Sequence, residues 1–297
     1  MSLVPLSAQH RGLGIAQAVD GSDECRVPQS GDPSPIAYGQ PMSGQFEVIC
    51  EIEPATGPDL RRVRHQIGVL HPISSGFLIP DNHIGRATVS SIAVAYEVRQ
   101  MGGRAIACLN ARDRNTLGFH RDLLTAAAYG VDEFLFVYGD RPESGRRSDD
   151  LTVRTMIGQA TDFSAKHALR DRLTIGVTSG LAPLPAWKNG ADMLFTQVGF
   201  SLEALLAWRR QIDFAGRVYA GVMVVASAGM GRRLSAEIPQ LAVPSWLVER
   251  LERDPSAGVT FACELLGQIR EARAFDGVHL IPVGRYREVA QRLEAVL

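Results

Sequence analysis

RAIACLNARDRNTLGFHRDLLTAAAYGVDEFLFVYGDRPE, residues 104 to 143, decides how the rest of the chain is read. An apolar run from Ala105 to Leu109 ends in the polar cluster Asn110, Arg112, Asp113, Arg114 and Asn115. Leu117, Leu123, Leu124, Ala127 and Ala128 then recur at spacings near three and four, the period of a helix with one buried face. Gly130 interrupts that pattern, a second apolar run spans Phe134 to Tyr138, and Gly139-Asp140 closes it. The order is strand, helix, strand, with polar groups where each strand stops. Parallel α/β folds place their chemistry at the carboxyl ends of strands.

The same alternation repeats on both sides. Upstream, strands are expected at Phe46 to Ile52 and Gly76 to Ile79, with helices from Pro58 to about Leu70 and from Ala87 to Gln100. Downstream, a helix falls within Thr152 to His167 and strands at Leu173 to Thr178, Met193 to Gln197, Val218 to Val225 and Val278 to Ile281. Between them lie a brief helix around Ala186 to Asn189, helices at Leu202 to Ile212, Trp246 to Arg253 and Gly258 to Ala274, and a last helix from Tyr286 to Val296. Ala228 to Arg233 is expected to form a Gly-rich basic loop. Eight strand–helix units over residues 45–297 predict a (β/α)8 TIM barrel. An open doubly wound sheet would want a Gly-rich fingerprint after the first strand, and Glu51-Ile52-Glu53-Pro54 is not one. Residues 1–44, rich in Pro, Gly, Ser and Gln and without periodicity, read as a flexible or loosely docked arm.

Composition narrows the function classes. The 297 residues carry 31 Lys and Arg against 32 Asp and Glu. No basic excess suggests nucleic acid, and no apolar run is long enough for a bilayer. No secretory signal is expected. Cys25, Cys50, Cys108 and Cys263 form no CxxC pair and read as reduced thiols of a cytoplasmic protein, Cys50 and Cys108 as buried ones. No HExxH or His/Cys cluster is present, so no bound metal is expected.

The strand ends yield one set of polar residues: Glu51, Asp81, Asn110, Asp113, Asp140 and Gln197. If the barrel forms, they converge on one mouth. Asp113 before Arg114-Asn115-Thr116 reads best as a cap or a local ion pair, and Asp81 in Pro-Asp-Asn also suits a turn. Glu51 lies among Val48, Ile49, Cys50 and Ile52, where a carboxylate is costly to ionise. That property suits a general acid near neutral pH. Alternation alone leaves open whether Glu51 points inward. Gly229-Met230-Gly231-Arg232-Arg233 reads either as an exposed basic turn or as a phosphate-binding loop in which Arg232 meets a cofactor.

Val48 to Pro54 (VICEIEP), Asp81-Asn82, Leu109 to Asp113 (LNARD), Tyr138 to Pro142 (YGDRP), Phe195 to Gln197 (FTQ) and Val243 to Trp246 (VPSW) follow one another in an order that resembles the methylenetetrahydrofolate reductase family. The resemblance covers roughly residues 45–297. It implies a barrel that reduces 5,10-methylenetetrahydrofolate to 5-methyltetrahydrofolate. It also makes Glu51 the acid that opens the methylene bridge, and places Asp140 and Gln197, with Asp81, on the pterin. Asn110, Tyr138, Gly139 and Arg232 are the expected cofactor contacts. The departures concern the flavin. Tyr138 stands where the family has Arg, Cys108 replaces a histidine, and the Tyr and His expected after strand five are missing from Gly176 to Pro183 (GVTSGLAP). The expectation is therefore an enzyme that binds little or no FAD, with NADH or NADPH giving its hydride directly to the folate. A deazaflavin, an FAD-dependent relative and a non-catalytic folate-binding barrel are the alternatives. A corrinoid- or pterin-linked methyltransferase should show a methyl-carrier or zinc site, and none is visible. Trp246 or Phe261, if exposed, offers a surface for a homo-oligomer.

Overall fold

The computed structural model describes residues 44–140, 144–167, 172–238 and 241–295. Apart from Gly44, the arm expected over residues 1–44 lies outside them. Eight parallel strands close into a barrel in chain order: β1 (Glu47–Glu51), β2 (Gly76–Ile79), β3 (Ala105–Asn110), β4 (Glu133–Val137), β5 (Thr174–Ser179), β6 (Met193–Val198), β7 (Arg217–Met223) and β8 (Gly277–Ile281). β8 pairs with β1 through Val48↔Val278 and Ile49↔His279 and so completes the cylinder. Around it run α1 (Arg61–Leu70), α2 (Ser91–Gln100), α3 (Thr116–Ala128), α4 (Val153–Lys166), α5 (Leu202–Arg209), α6 (Ala228–Glu237), α7 (Ser245–Arg253), α8 (Ala257–Ala272) and α9 (Tyr286–Leu293).

Strands covered on both faces should be apolar at nearly every position, and these are. Val48, Cys50, Phe77, Ile79, Phe134 and Phe136 join the core shared with the helices. The alternate residues Ile49, Leu78, Ile106, Cys108, Leu135 and Phe195 form a second cluster inside the barrel. The barrel is thus a packed solid, and its chemistry is confined to the ends. The expected (β/α)8 architecture is what the chain adopts.

Beyond small shifts at element ends, such as α5 stopping at Arg209 rather than Ile212, three differences stand out. α1 begins at Arg61 rather than Pro58, with the Asp59 carboxylate accepting from the Arg61 N–H at 2.9 Å. α2 begins at Ser91 rather than Ala87, because the Val89 N–H bonds the Ala55 carbonyl at 2.8 Å and Thr88 pairs with Asn82. Ala228 to Arg233 is no loop: it forms the first turns of α6, capped by the Ser227 hydroxyl, which accepts from the Met230 N–H. Gly231 serves packing there, since a Cβ would sit 3.1 Å from Val248.

The amino-terminal end of the barrel is closed by charge. Glu47 accepts from Arg104 at 2.9 Å, from Arg217 at 3.2 Å and from the Tyr219 hydroxyl, while Arg104 also binds Glu133 at 2.7 Å. This cluster leaves the opposite end, the mouth, as the place to look for function.

Candidate functional site

Glu51 ends β1 with the same facing as Ile49, so its side chain enters the mouth and does not turn to the helical shell. Across β8, His279 shares the inward face, and its Nε2 lies 3.1 Å from the Glu51 Oε2. That Nε2 is enclosed and out of line for a hydrogen bond. Phe195 meets the imidazole edge-on at 5.8 Å and stacks in turn on Tyr219 at 4.8 Å. Cys108, on β3, faces the same space. Burial, then the charges of Glu51 and Asp81, push its thiol well above the ordinary range, so it stays protonated.

Beside Glu51 the ends of β2 and β3 form a locked polar network. Asp81 Oδ2 accepts from the Asn110 backbone N–H at 3.0 Å, the Asn110 amide at 2.6 Å and Arg114. Asp113 accepts from Arg112 at 2.6 Å and from Asn82 at 2.8 Å. Burial alone would raise the Asp113 carboxyl, but bonds from Arg112, Asn82 and Asn110 outweigh it and hold it down at about 2. The ion-pair reading of Asp113 is the one the structure adopts. Asp81 and Asn110 are therefore bound to neighbours that shape the mouth.

Asp140 is exposed just past β4, and its carboxylate accepts from the Ile84 N–H at 3.2 Å. Ile84 has a φ of 56° and is 63% exposed. A β-branched residue rarely takes that conformation, and such strain gathers at ligand sites. Val283, in the loop after β8, has a φ of 47°. Two strained loops thus flank the strand that carries Glu51.

Tyr138 is 45% exposed, with the Arg147 guanidinium 3.9 Å above its ring. Gly139 has a φ of 92°, and a Cβ there would sit 3.1 Å from the Asn110 Cβ and 3.2 Å from the Arg112 Cβ. Gly139→Ala is accordingly expected to cost roughly 1–3 kcal/mol through backbone strain and the collision. Thermal denaturation would read this as a lower Tm, and an unchanged Tm would contradict it.

Gln197 sits on a bulge, since β6 and β7 shift register between Phe195 and Val198. Bulges re-aim side chains beside active sites. Gly221 permits this one, because a Cβ there would meet the Thr196 carbonyl at 2.7 Å. After β5, Lys188 donates from Nζ to the Thr178 carbonyl at 2.7 Å, and burial lowers its pKa.

The mouth therefore brings Glu51, Asp81 and Asn110 close together, with Asp140 and Gln197 on its rim. Arg232 is placed differently: on α6 it pairs with Glu252 of α7 at 2.5 Å, in an open cavity of about 520 Å³ between those helices. A second cavity, about 460 Å³, lies between the start of α8 and α9 beside Arg285 and Arg292. His279 and Lys188 escaped the sequence reading. The signal for His279 was a single polar residue in the apolar strand Val278–Ile281. Among the described residues no cluster of three metal-ligating side chains occurs, and no helix is long and apolar enough to cross a membrane. Cys50 and Cys108 are buried free thiols, as expected.

Comparison with known proteins adds three findings. Residues 186–295 match the family model described as methylenetetrahydrofolate reductase. No curated protein matches the chain. Among solved structures, an uncharacterized protein from Clostridium thermocellum that binds two copies of 5-methyl-5,6,7,8-tetrahydrofolic acid shares the fold, with a TM-score of 0.57, 10% identity, and coverage of 85% of this chain and 96% of that one. A mutant tryptophan synthase α-subunit from Pyrococcus furiosus aligns at a TM-score of 0.49 and 11% identity, over 84% of this chain and 95% of its own. On the closed (β/α)8 barrel, the matched residues 186–295, which hold Gln197 and His279, are similar to the methylenetetrahydrofolate reductase family.

Proposed function

We propose that the chain reduces 5,10-methylenetetrahydrofolate to 5-methyltetrahydrofolate, taking the hydride directly from NADH or NADPH without FAD. The observation that carries this is the inward carboxyl of Glu51 beside His279 at the mouth. A barrel of the same fold holds 5-methyltetrahydrofolate in the Clostridium thermocellum protein, and we assign the same ligand class to this mouth.

Glu51 gives its proton to a nitrogen of the aminal. The carbon–nitrogen bond opens with its electron pair going to that nitrogen, which leaves an iminium. Hydride from the nicotinamide adds to the iminium carbon and yields the methyl group. Asp140 and Gln197 orient the pterin from the rim. Tyr138 and Gly139 line the nicotinamide side, whereas Asn110, fully buried and bound to Asp81 and Asp113, supports the mouth from behind and does not meet the cofactor as expected. The packed barrel interior excludes water from one face of the reacting atoms.

Two features support the flavin-free reading. The two arginines of the β3 loop pair with nearby carboxylates, Arg114 with Asp81 and Asp122 and Arg112 with Asp113, although the Arg112 Nη1 has no hydrogen-bond partner among the described residues. Tyr138, where the family has Arg, brings no charge. Direct transfer is tested by following NADH and NADPH oxidation with methylenetetrahydrofolate, with and without added FAD. The expected result is folate-dependent oxidation unchanged by FAD. Activity that appears only with a flavin or deazaflavin would assign the chain to that chemistry, and folate binding without oxidation would make it a binding barrel.

A further inference from the structure

Glu51 must be reloaded with a proton after every turnover, and the described residues offer it few partners. No hydrogen bond of its carboxylate is formed with the neighbouring strand ends, and its near polar neighbour is His279, 3.1 Å away. His279 is itself 92% enclosed, since only 8% of the residue is exposed. A buried imidazole nitrogen with no hydrogen-bond partner is costly to keep. Nε2 is such an atom and faces the one side chain that the reaction needs protonated. The imidazole plane is held by the edge-on contact with Phe195, at an interplanar angle of 87°. The rest of the ring keeps the side chain 10% exposed, which leaves it a path to solvent at the mouth.

We propose that His279 is the positioning residue of Glu51: it holds the carboxyl toward the folate and passes it the proton that replaces the one given to the substrate. This rests on the reductase function proposed above. When Glu51 has delivered its proton, the imidazole takes one from solvent, and the imidazolium so formed turns its Nε2–H toward the carboxylate and passes that proton on. The folate gains one proton and one hydride, and NAD(P)H loses one hydride, so the cycle balances.

Other ionisable groups face the pair. Cys108 on β3 is kept protonated by burial and by its acidic neighbours. Asp81 at the end of β2 is tied to Arg114. Tyr219 on β7, behind Phe195, gives its hydroxyl to Glu47 at the far end of the barrel, and burial with that carboxylate raises its pKa. None of these is placed to reload Glu51 in place of His279.

The test compares wild type, His279→Gln, His279→Ala and Glu51→Gln in the folate-dependent oxidation assay across pH. Loss of the relay should lower kcat about 10²-fold in His279→Gln, the scale of a misplaced catalytic group. KM for the folate should stay within about twofold, since ground-state binding is not touched. The pH profile of His279→Gln should differ from that of wild type, and added imidazole should restore part of the turnover of His279→Ala. Adding His279→Gln to Glu51→Gln should cost nothing more. A thermal scan of each variant separates loss of fold from loss of function. Independently of turnover, the His279 15N resonance should move between wild type and Glu51→Gln at one neutral pH. Oxidation that survives in His279→Gln with an unaltered pH profile, or a 15N resonance indifferent to Glu51, overturns the relay alone. A wild type without folate-dependent oxidation overturns the reductase function and the relay with it.

Discussion

Glu51→Gln is expected to lower turnover by about 10²–10⁴-fold, the usual contribution of a positioned general acid. The amide keeps the shape of the carboxyl and fits the same space, yet it cannot release a proton to the aminal nitrogen. Binding of the folate should persist, because the proposed function has Asp140 and Gln197 hold the pterin from other strands. The two effects separate cleanly: a titration of folate binding by calorimetry should change little while kcat collapses. Stability should also survive, since the Glu51 carboxylate has only an off-line approach to His279 at 3.1 Å to lose. Near-normal turnover in this variant would remove the acid from the mechanism and leave the mouth as a binding site.

How much of this was legible beforehand depends on what kind of fact is asked for. The eight strands were readable because a parallel strand buried on both faces becomes an apolar run, and β2 appears at Gly76–Ile79 as expected. Closure and register were not readable, since they depend on pairings such as Ile49↔His279 between the two ends of the chain. The mouth residues were found by position: Glu51, Asp81 and Asn110 end successive strands. Their states were not readable. Asp81 looks like Glu51 in sequence, but Arg114 and Asn110 occupy its carboxylate, while Glu51 has no such partners among the described residues. His279 lies in a five-residue apolar strand, and nothing local distinguishes it from a histidine merely accommodated in the core. The segment from Gly229 to Arg233 misled for a physical reason. Two glycines beside two arginines suggest a loop, yet Ser227 caps a helix there and Gly231 lets α6 approach Val248 and Val225.

Glu47→Ala should be the most damaging single change to stability at the far end of the barrel, at about 3–5 kcal/mol. The Glu47 side chain is 7% exposed, and three donors converge on it: Arg104, Arg217 and the Tyr219 hydroxyl. Truncation leaves Arg104 and the Tyr219 hydroxyl enclosed without that acceptor, while Arg217, with 32% of its side chain exposed, can turn to solvent. Arg104 keeps Glu133, which limits its share of the loss, whereas Tyr219 loses the only acceptor its hydroxyl has among the described residues. The sign of the pH dependence follows from the same contacts. Burial alone would raise the Glu47 carboxyl, but Arg104 and the Tyr219 hydroxyl, then Arg217, prevail and hold it below its ordinary value. A carboxyl lowered in the folded state contributes its stability above the pKa of the unfolded chain. That contribution is lost as the pH falls through the folded value. Wild-type stability should therefore decline on acidification below the ordinary carboxylate range, and Glu47→Ala should start lower and decline less steeply. Urea unfolding at a series of acidic pH values reads both effects. Turnover per folded molecule should be unchanged, because the cluster closes the end opposite the mouth. A variant as stable as wild type, or one with the same acid slope, would show that the charge cluster does not hold this end of the barrel together.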